Sequence, residues 1–226
     1  MTPPANRRRI LIEALAFTFL AAGATALILH VPHSWVRSNQ GLLIAAVWLY
    51  LPLLIAWVER IPLSSLGLGR PPLGQSLRLV SLWILISYPP FYLVWGLVQH
   101  RYLGRTFHLE WPPDFGNAIL IQLLAIALPE EVFFRGYLQD RLNSVFGRPW
   151  RLWGAELGPG LFLTALLFVL CHLLIAINWV RLAIFFPALL FGWMRERTGS
   201  LLPPVLFHAL SNLTFIVAQA GFHSGP

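Results

Sequence analysis

Pro129-Glu130-Glu131-Val132-Phe133-Phe134-Arg135 sets two adjacent carboxylates and a guanidinium inside an apolar run that extends from Ile119 to Leu138. The segments on either side are too apolar for a soluble protein, so these charges read as lying within a membrane. A charge there costs at least about 2–4 kcal/mol, and such residues are rare, paired and most often functional.

The rest of the composition agrees with that reading. The chain has 226 residues, of which 57% are hydrophobic and only 11% charged, whereas a soluble domain is charged at about 25% of its positions. Mean hydropathy is +0.68. No polar linker divides the chain, so it reads as a single membrane domain over 1–226. A net charge of +7 might suggest a nucleic-acid partner. The basic residues, however, are scattered singly through short connections and form no basic face, so nucleic acid is excluded as a partner. All 16 basic residues are arginine, a usage associated with GC-rich genomes and hence with a bacterial inner membrane. A lone cysteine, Cys171, excludes an intrachain disulfide and a cysteine-rich metal site.

Seven apolar runs approach spanning length: 10–30, 41–58, 77–98, 117–138, 160–177, 179–194 and 201–220. A full crossing needs about 20 residues, so the fifth and sixth are short and could form a hairpin that does not cross. The segment 142–157 carries Arg148, Arg151 and Glu156 among Trp150, Leu152 and Trp153, and reads as an amphipathic helix at the interface or an eighth span. No strand pattern stands out. The expected fold is therefore all-α, a polytopic transmembrane bundle of about seven to eight spans. With the N-terminus in the cytoplasm, Arg7, Arg8, Arg9, Arg60, Arg70, Arg78, Arg141, Arg148, Arg151, Arg195 and Arg197 fall inside. Only Arg37, Arg101, Arg105 and Arg181 fall outside, as the positive-inside rule requires.

Three spans carry residues suited to chemistry. Glu131 and Arg135 are four apart on a helix, share a face and can pair. Glu130 lies about 100° around from Glu131 and is left free to exchange a proton, as a general base or acid must. His172, in Phe168-Val169-Leu170-Cys171-His172, reads either as a packing histidine or as a partner of that base. His208 and Asn212 are again four apart, and either bond a neighbouring helix or aim two donors at a developing oxyanion. Gln122 and Thr164 read as packing groups. Counting Glu130 from an inner helix end near Leu138 gives a depth of about 12 Å. That depth suggests a wet pocket sunk into the inner leaflet and open to the cytoplasm.

Glu130-Glu131 with Arg135, Phe168 with His172, and His208 with Asn212 resemble, in order, the EExxxR, FxxxH and HxxxN motifs of the CAAX protease and bacteriocin-processing family, also called the Abi or type II CAAX prenyl endopeptidase family. The resemblance covers about half the chain, with 117–220 as the catalytic helices and 1–116 as spans that vary among members. It implies an intramembrane endopeptidase acting on a membrane-anchored, lipid-modified or sorting-signal-bearing protein. By that resemblance Glu130 activates water with help from His172, His208 and Asn212 stabilise the oxyanion, and Glu131 with Arg135 holds the constellation. A metal-free mechanism without cofactor is preferred, with zinc on Glu130, His172 and His208 left open. Rival expectations are a catalytically silent scaffold or immunity protein of the same fold, and a transporter using the same groups as a proton relay. The transporter lacks the matching broken helices that repeats would give.

Overall fold

The computed structural model describes residues 4–175 and 177–224. Within them run seven helices: α1 (Pro4–His30), α2 (Ser34–Val58), α3 (Leu73–Arg101), α4 (Phe115–Phe146), α5 (Pro159–Ile175), α6 (Phe185–Thr198) and α7 (Leu202–Ala220). Five of them, α1 to α4 and α7, are long and apolar enough to cross a membrane. The short fifth and sixth runs become α5, with 17 residues, and α6, with 14; at 1.5 Å per residue each is shorter than a hydrocarbon core of about 30 Å. The expected fifth run passes through Ala176, which lies outside the described residues.

The burial pattern is inverted relative to a soluble protein. Leu77, Leu82, Leu85, Phe91, Leu93 and Val94 of α3 are exposed, whereas Glu131, Arg135, Gln139 and Asn143 of α4 are buried. Apolar side chains cover the outside because lipid is their solvent, and polar ones turn inward to find partners. This is an integral membrane bundle.

α4 is its centre. Phe133, Phe134, Tyr137, Leu138 and Leu142 are almost completely buried. Trp48 of α2 packs edge-on to Phe133 at 4.8 Å and stacks on Phe134 at 5.0 Å, and Phe134 meets Phe168 of α5 at 4.8 Å. The helix is irregular where it matters. Wide π turns at Ile121–Ala127 and Val132–Leu138 flank a short α segment, Leu128–Glu131. Pro129 gives a reason for the first of them: its ring clashes with the carbonyl four residues earlier and it has no N–H to donate there, so the preceding turn opens. π turns of this kind recur at functional sites.

The structure corrects three expectations. α4 does not end at Leu138 but continues to Phe146, because Gln139 and Asn143 are absorbed by Glu196 of α6 (2.8 and 2.9 Å) instead of meeting headgroups. The segment 142–157 is not an amphipathic helix. It is the end of α4 followed by a hairpin of β2 (Trp150–Leu152) and β3 (Ala155–Leu157). The two-residue turn Trp153-Gly154 has φ of +48° and +79°, the left-handed pair that a tight hairpin demands and that glycine supplies without cost. Strands are also present elsewhere: β1 (Arg105–Phe107) pairs antiparallel with β4 (Phe222–Ser224), tying the end of α3 to the segment after α7. Both strand pairs are short, and the fold remains all-α.

At the end of the bundle that carries the N-terminus, the α2–α3 connection folds inward. Leu66 is buried, Leu201 N–H donates to Gly67 O at 3.1 Å, and Arg195 Nη2 donates to Ser65 O at 2.6 Å. Gly136 permits this approach, since a Cβ there would stand 2.8 Å from the Leu66 carbonyl oxygen.

Candidate active site

Glu130 projects from the short α segment of α4, His172 from the last turn of α5, and His208 from the second turn of α7. The three meet. Glu130 Oε2 stands 4.0 Å from His172 Nε2 and 3.9 Å from His208 Nε2. Among the described residues the Glu130 carboxylate has no protein hydrogen bond, and its side chain keeps 19% exposure while Glu131 and Arg135 keep none. One carboxylate is reachable and the other is sealed, which is the division that their adjacency on a helix anticipates.

Glu131 and Arg135 form the floor. Arg135 Nη1 donates to Glu131 Oε1 at 3.1 Å and Nη2 donates to the Ala188 carbonyl of α6 at 3.2 Å. The guanidinium carbon lies 4.5 Å from the Phe168 ring centre and 5.0 Å from that of Phe191, a desolvated cation–π arrangement. Phe168 therefore does more than mark a motif: its ring contacts both Arg135 and His172, the latter at 4.4 Å.

The hydrogen bonds assign the histidine tautomers. His208 Nδ1 is 2.9 Å from Glu131 Oε1. A carboxylate paired with an arginine only accepts, so Nδ1 carries the proton and the neutral ring turns a lone pair on Nε2 toward Glu130. His172 Nδ1 is 2.8 Å from the Phe168 carbonyl oxygen, which likewise leaves Nε2 as the lone pair. Phe191 stacks on His208 with centroids 5.0 Å apart and planes at 17°, fixing the ring. A water bonded to Glu130 Oε2 and to either Nε2 at about 2.8 Å fits the spacing.

Asn212 is placed differently from its partners. One turn beyond His208, it donates from Nδ2 to Gln122 Oε1 of α4 at 2.9 Å. Gln122 thus makes the packing hydrogen bond expected of a mid-span amide, and that bond orients Asn212. The signal for it in the sequence is its position two turns before Glu130. Phe191, Ala188 and Arg181 are further neighbours that the motifs do not name. Arg181 Nη1 donates to the His172 carbonyl at 2.8 Å.

The zinc alternative fits this donor set poorly. Zinc bonds of about 2.0–2.1 Å in a tetrahedron would hold ligand atoms about 3.4 Å apart, closer than the 3.9 and 4.0 Å found from Glu130. No group of three or more His, Cys, Asp or Glu among the described residues is disposed to hold a metal.

Glu130 and His172 line an open cleft of about 270 Å³, together with Thr25, Leu29, Gly41, Ile44 and Arg181. Leu29 lies beside the C-terminal end of α1, and Gly41 is in the second turn of α2. These residues lie toward the end of the bundle opposite the N-terminus. The inner-leaflet depth expected for Glu130 came from ending α4 at Leu138; with α4 running to Phe146, Glu130 is near its midpoint.

No curated protein and no solved structure matches the chain. Residues 112–214 match the family described as type II CAAX prenyl endopeptidase Rce1-like. The match takes in all seven motif residues, from Glu130 to Asn212. Over residues 112–214, just under half of its length, the chain is similar to the Rce1-like type II CAAX prenyl endopeptidases.

Proposed function

We propose that this protein is an intramembrane endopeptidase in which Glu130 activates water. The observation that carries the reading is the approach of one Glu130 oxygen to the Nε2 atoms of both His172 and His208, at 4.0 and 3.9 Å. Glu130 takes a proton from a water whose other hydrogen is accepted by His172 Nε2. The water oxygen attacks the scissile carbonyl carbon, and the carbonyl oxygen becomes an oxyanion. His208 takes a solvent proton on Nε2, donates to that oxygen as an imidazolium stabilised by Glu131 beneath its Nδ1–H, and returns the proton to solvent when the tetrahedral intermediate collapses. Asn212, held by Gln122, supplies its second amide N–H on the same side. The proton on Glu130 then passes to the leaving amine as the C–N bond breaks.

Within a single membrane domain, the helices over 117–220 supply the catalytic groups, and α1 and α2 supply cleft walls. The family supports a membrane-anchored protein or peptide as substrate. The arginine-only composition supports a bacterial inner membrane.

Comparing membrane proteomes of cells carrying the wild type or Glu130→Ala should reveal an uncut precursor, which then serves as the assay substrate. Purified wild-type protein should cut this precursor after exhaustive chelation, at an undiminished rate and with no zinc found by metal analysis. Loss of cleavage on chelation with recovery on adding zinc would replace the water–glutamate mechanism by a metal one.

A further inference from the structure

We infer that the cavity at the Arg101 end of α3 binds one anionic phospholipid, with the phosphate on Arg105 and one acyl chain lying between α3 and the segment that follows α7. The site is remote from Glu130, and the inference does not rest on the peptidase reading.

The cavity measures about 450 Å³, within the range of specific ligand pockets. Its character changes along its length. Tyr92, Trp95 and Gly96 line it from within the apolar run of α3 that ends at Val98, and Phe222 closes the opposite side. His100 and Arg105 line it beyond that run, where the polar residues begin. An apolar half within the membrane and a cationic half at its boundary match an amphiphile standing parallel to the helix. A sugar would leave the aromatic half unused, and a plain alkyl chain would leave the guanidinium without an anion.

The local fold builds this contrast. Gly104, at φ +62°, helps to reverse the chain after α3, so that β1 packs back against that helix and pairs with β4. Arg105 Nη1 then donates to Gln99 Oε1 at 3.1 Å, and Gln99 is buried. His100 Nδ1 lies 3.4 Å from the Arg105 carbonyl oxygen. Among the described residues Gln99 is the one hydrogen-bond partner of the guanidinium, which leaves its other nitrogens for a phosphate. Gly96 opens the apolar half: a Cβ there would meet only the Phe222 ring, at 4.0 Å. Among the described residues no carboxylate lines the cavity, and Glu110, the acidic group closest to Arg105 in sequence, pairs with His223 at 3.1 Å. The local charge therefore selects an anion, as basic pockets between membrane helices do with acidic headgroups.

Native mass spectrometry of the full-length protein, stripped of lipid in detergent, tests this with three probes: palmitoyl-oleoyl phosphatidylglycerol, phosphatidylcholine with the same chains, and glycerol phosphate. The wild type should hold one phosphatidylglycerol roughly ten-fold or more tightly than phosphatidylcholine, and should not retain glycerol phosphate. Arg105→Gln should weaken phosphatidylglycerol binding by roughly 10- to 100-fold, the worth of one hydrogen bond to a charged group, and leave phosphatidylcholine unchanged. Gly96→Leu fills the apolar half with a good helix former and should weaken both lipids. Equal affinity of the wild type for the two lipids overturns the headgroup site, as does unchanged phosphatidylglycerol binding by Arg105→Gln. Glycerol phosphate held as tightly as phosphatidylglycerol overturns the lipid and makes a free phosphate the ligand. The comparison of the two lipids on the wild type needs no variant, so it decides even where a substitution fails to fold.

Discussion

Glu130→Gln is expected to lower the cleavage rate on the precursor by roughly 10²- to 10⁴-fold, the contribution typical of a general base, with little change in KM or in thermal stability. The two halves of this expectation have separate causes. Glutamine matches glutamate in shape but cannot take a proton from water. Stability should hold because the Glu130 carboxylate has no hydrogen-bond partner among the described residues to lose and stands 3.9–4.0 Å from the imidazoles. Initial rates and a melting curve in detergent check both halves. A folded variant that cuts at the wild-type rate removes Glu130 from the chemistry.

Arg135→Met should do the opposite: its main effect falls on folding. Among the described residues the guanidinium is the one permanent counter-charge bonded to Glu131, and it also holds the Ala188 carbonyl and lies close to the Phe168 and Phe191 rings. Removing one partner of a buried pair typically costs about 3–5 kcal/mol, because the other charge stays buried and unpaired. Little folded protein should be recovered, and its thermal midpoint should drop sharply. Replacing both partners, Glu131→Gln with Arg135→Met, should restore much of the stability, since two neutral groups can be accommodated where one charge cannot. The glutamine oxygen still accepts from His208 Nδ1, but a neutral amide stabilises a protonated ring less, so activity should stay below wild type. Thermal unfolding of the single and double variants in detergent measures this. Equal midpoints for Arg135→Met and the wild type would mean that the pair does not hold the bundle together.

Much of this arrangement is legible in the chain itself, for identifiable reasons. Charged and imidazole groups in apolar runs are conspicuous because the bilayer penalises them, and four-residue spacing places Glu131 beside Arg135 and His208 one turn from Asn212. Five of the seven long apolar runs are spanning helices because length and hydropathy alone define a span. What the sequence hides depends on tertiary partners. Gln139 and Asn143 look like a helix leaving the membrane, and only Glu196, more than fifty residues later, makes their burial possible. Ending α4 too early sets Glu130 near one end of its helix, whereas it lies near the midpoint. The hairpin after α4 reads as a helix in sequence because its Trp and Arg residues mimic an amphipathic pattern, although Gly154 is a legible turn signal. Gln122 is legible as a packing hydrogen-bond former, but its partner is not, since Asn212 lies on a different helix. The π turns follow from Pro129 only once it is known to lie within a continuous helix.

The central claim is that Glu130 and the histidines act on one water molecule as a unit. It is tested most directly by the cleavage rates of Glu130→Gln, His172→Ala and the double variant on the same precursor. If both groups bind and deprotonate the same water, the double variant should be no slower than the slower single variant, because residues that work as a unit lose their function together. Losses that multiply in the double variant would show the two groups acting in independent steps and would contradict the account.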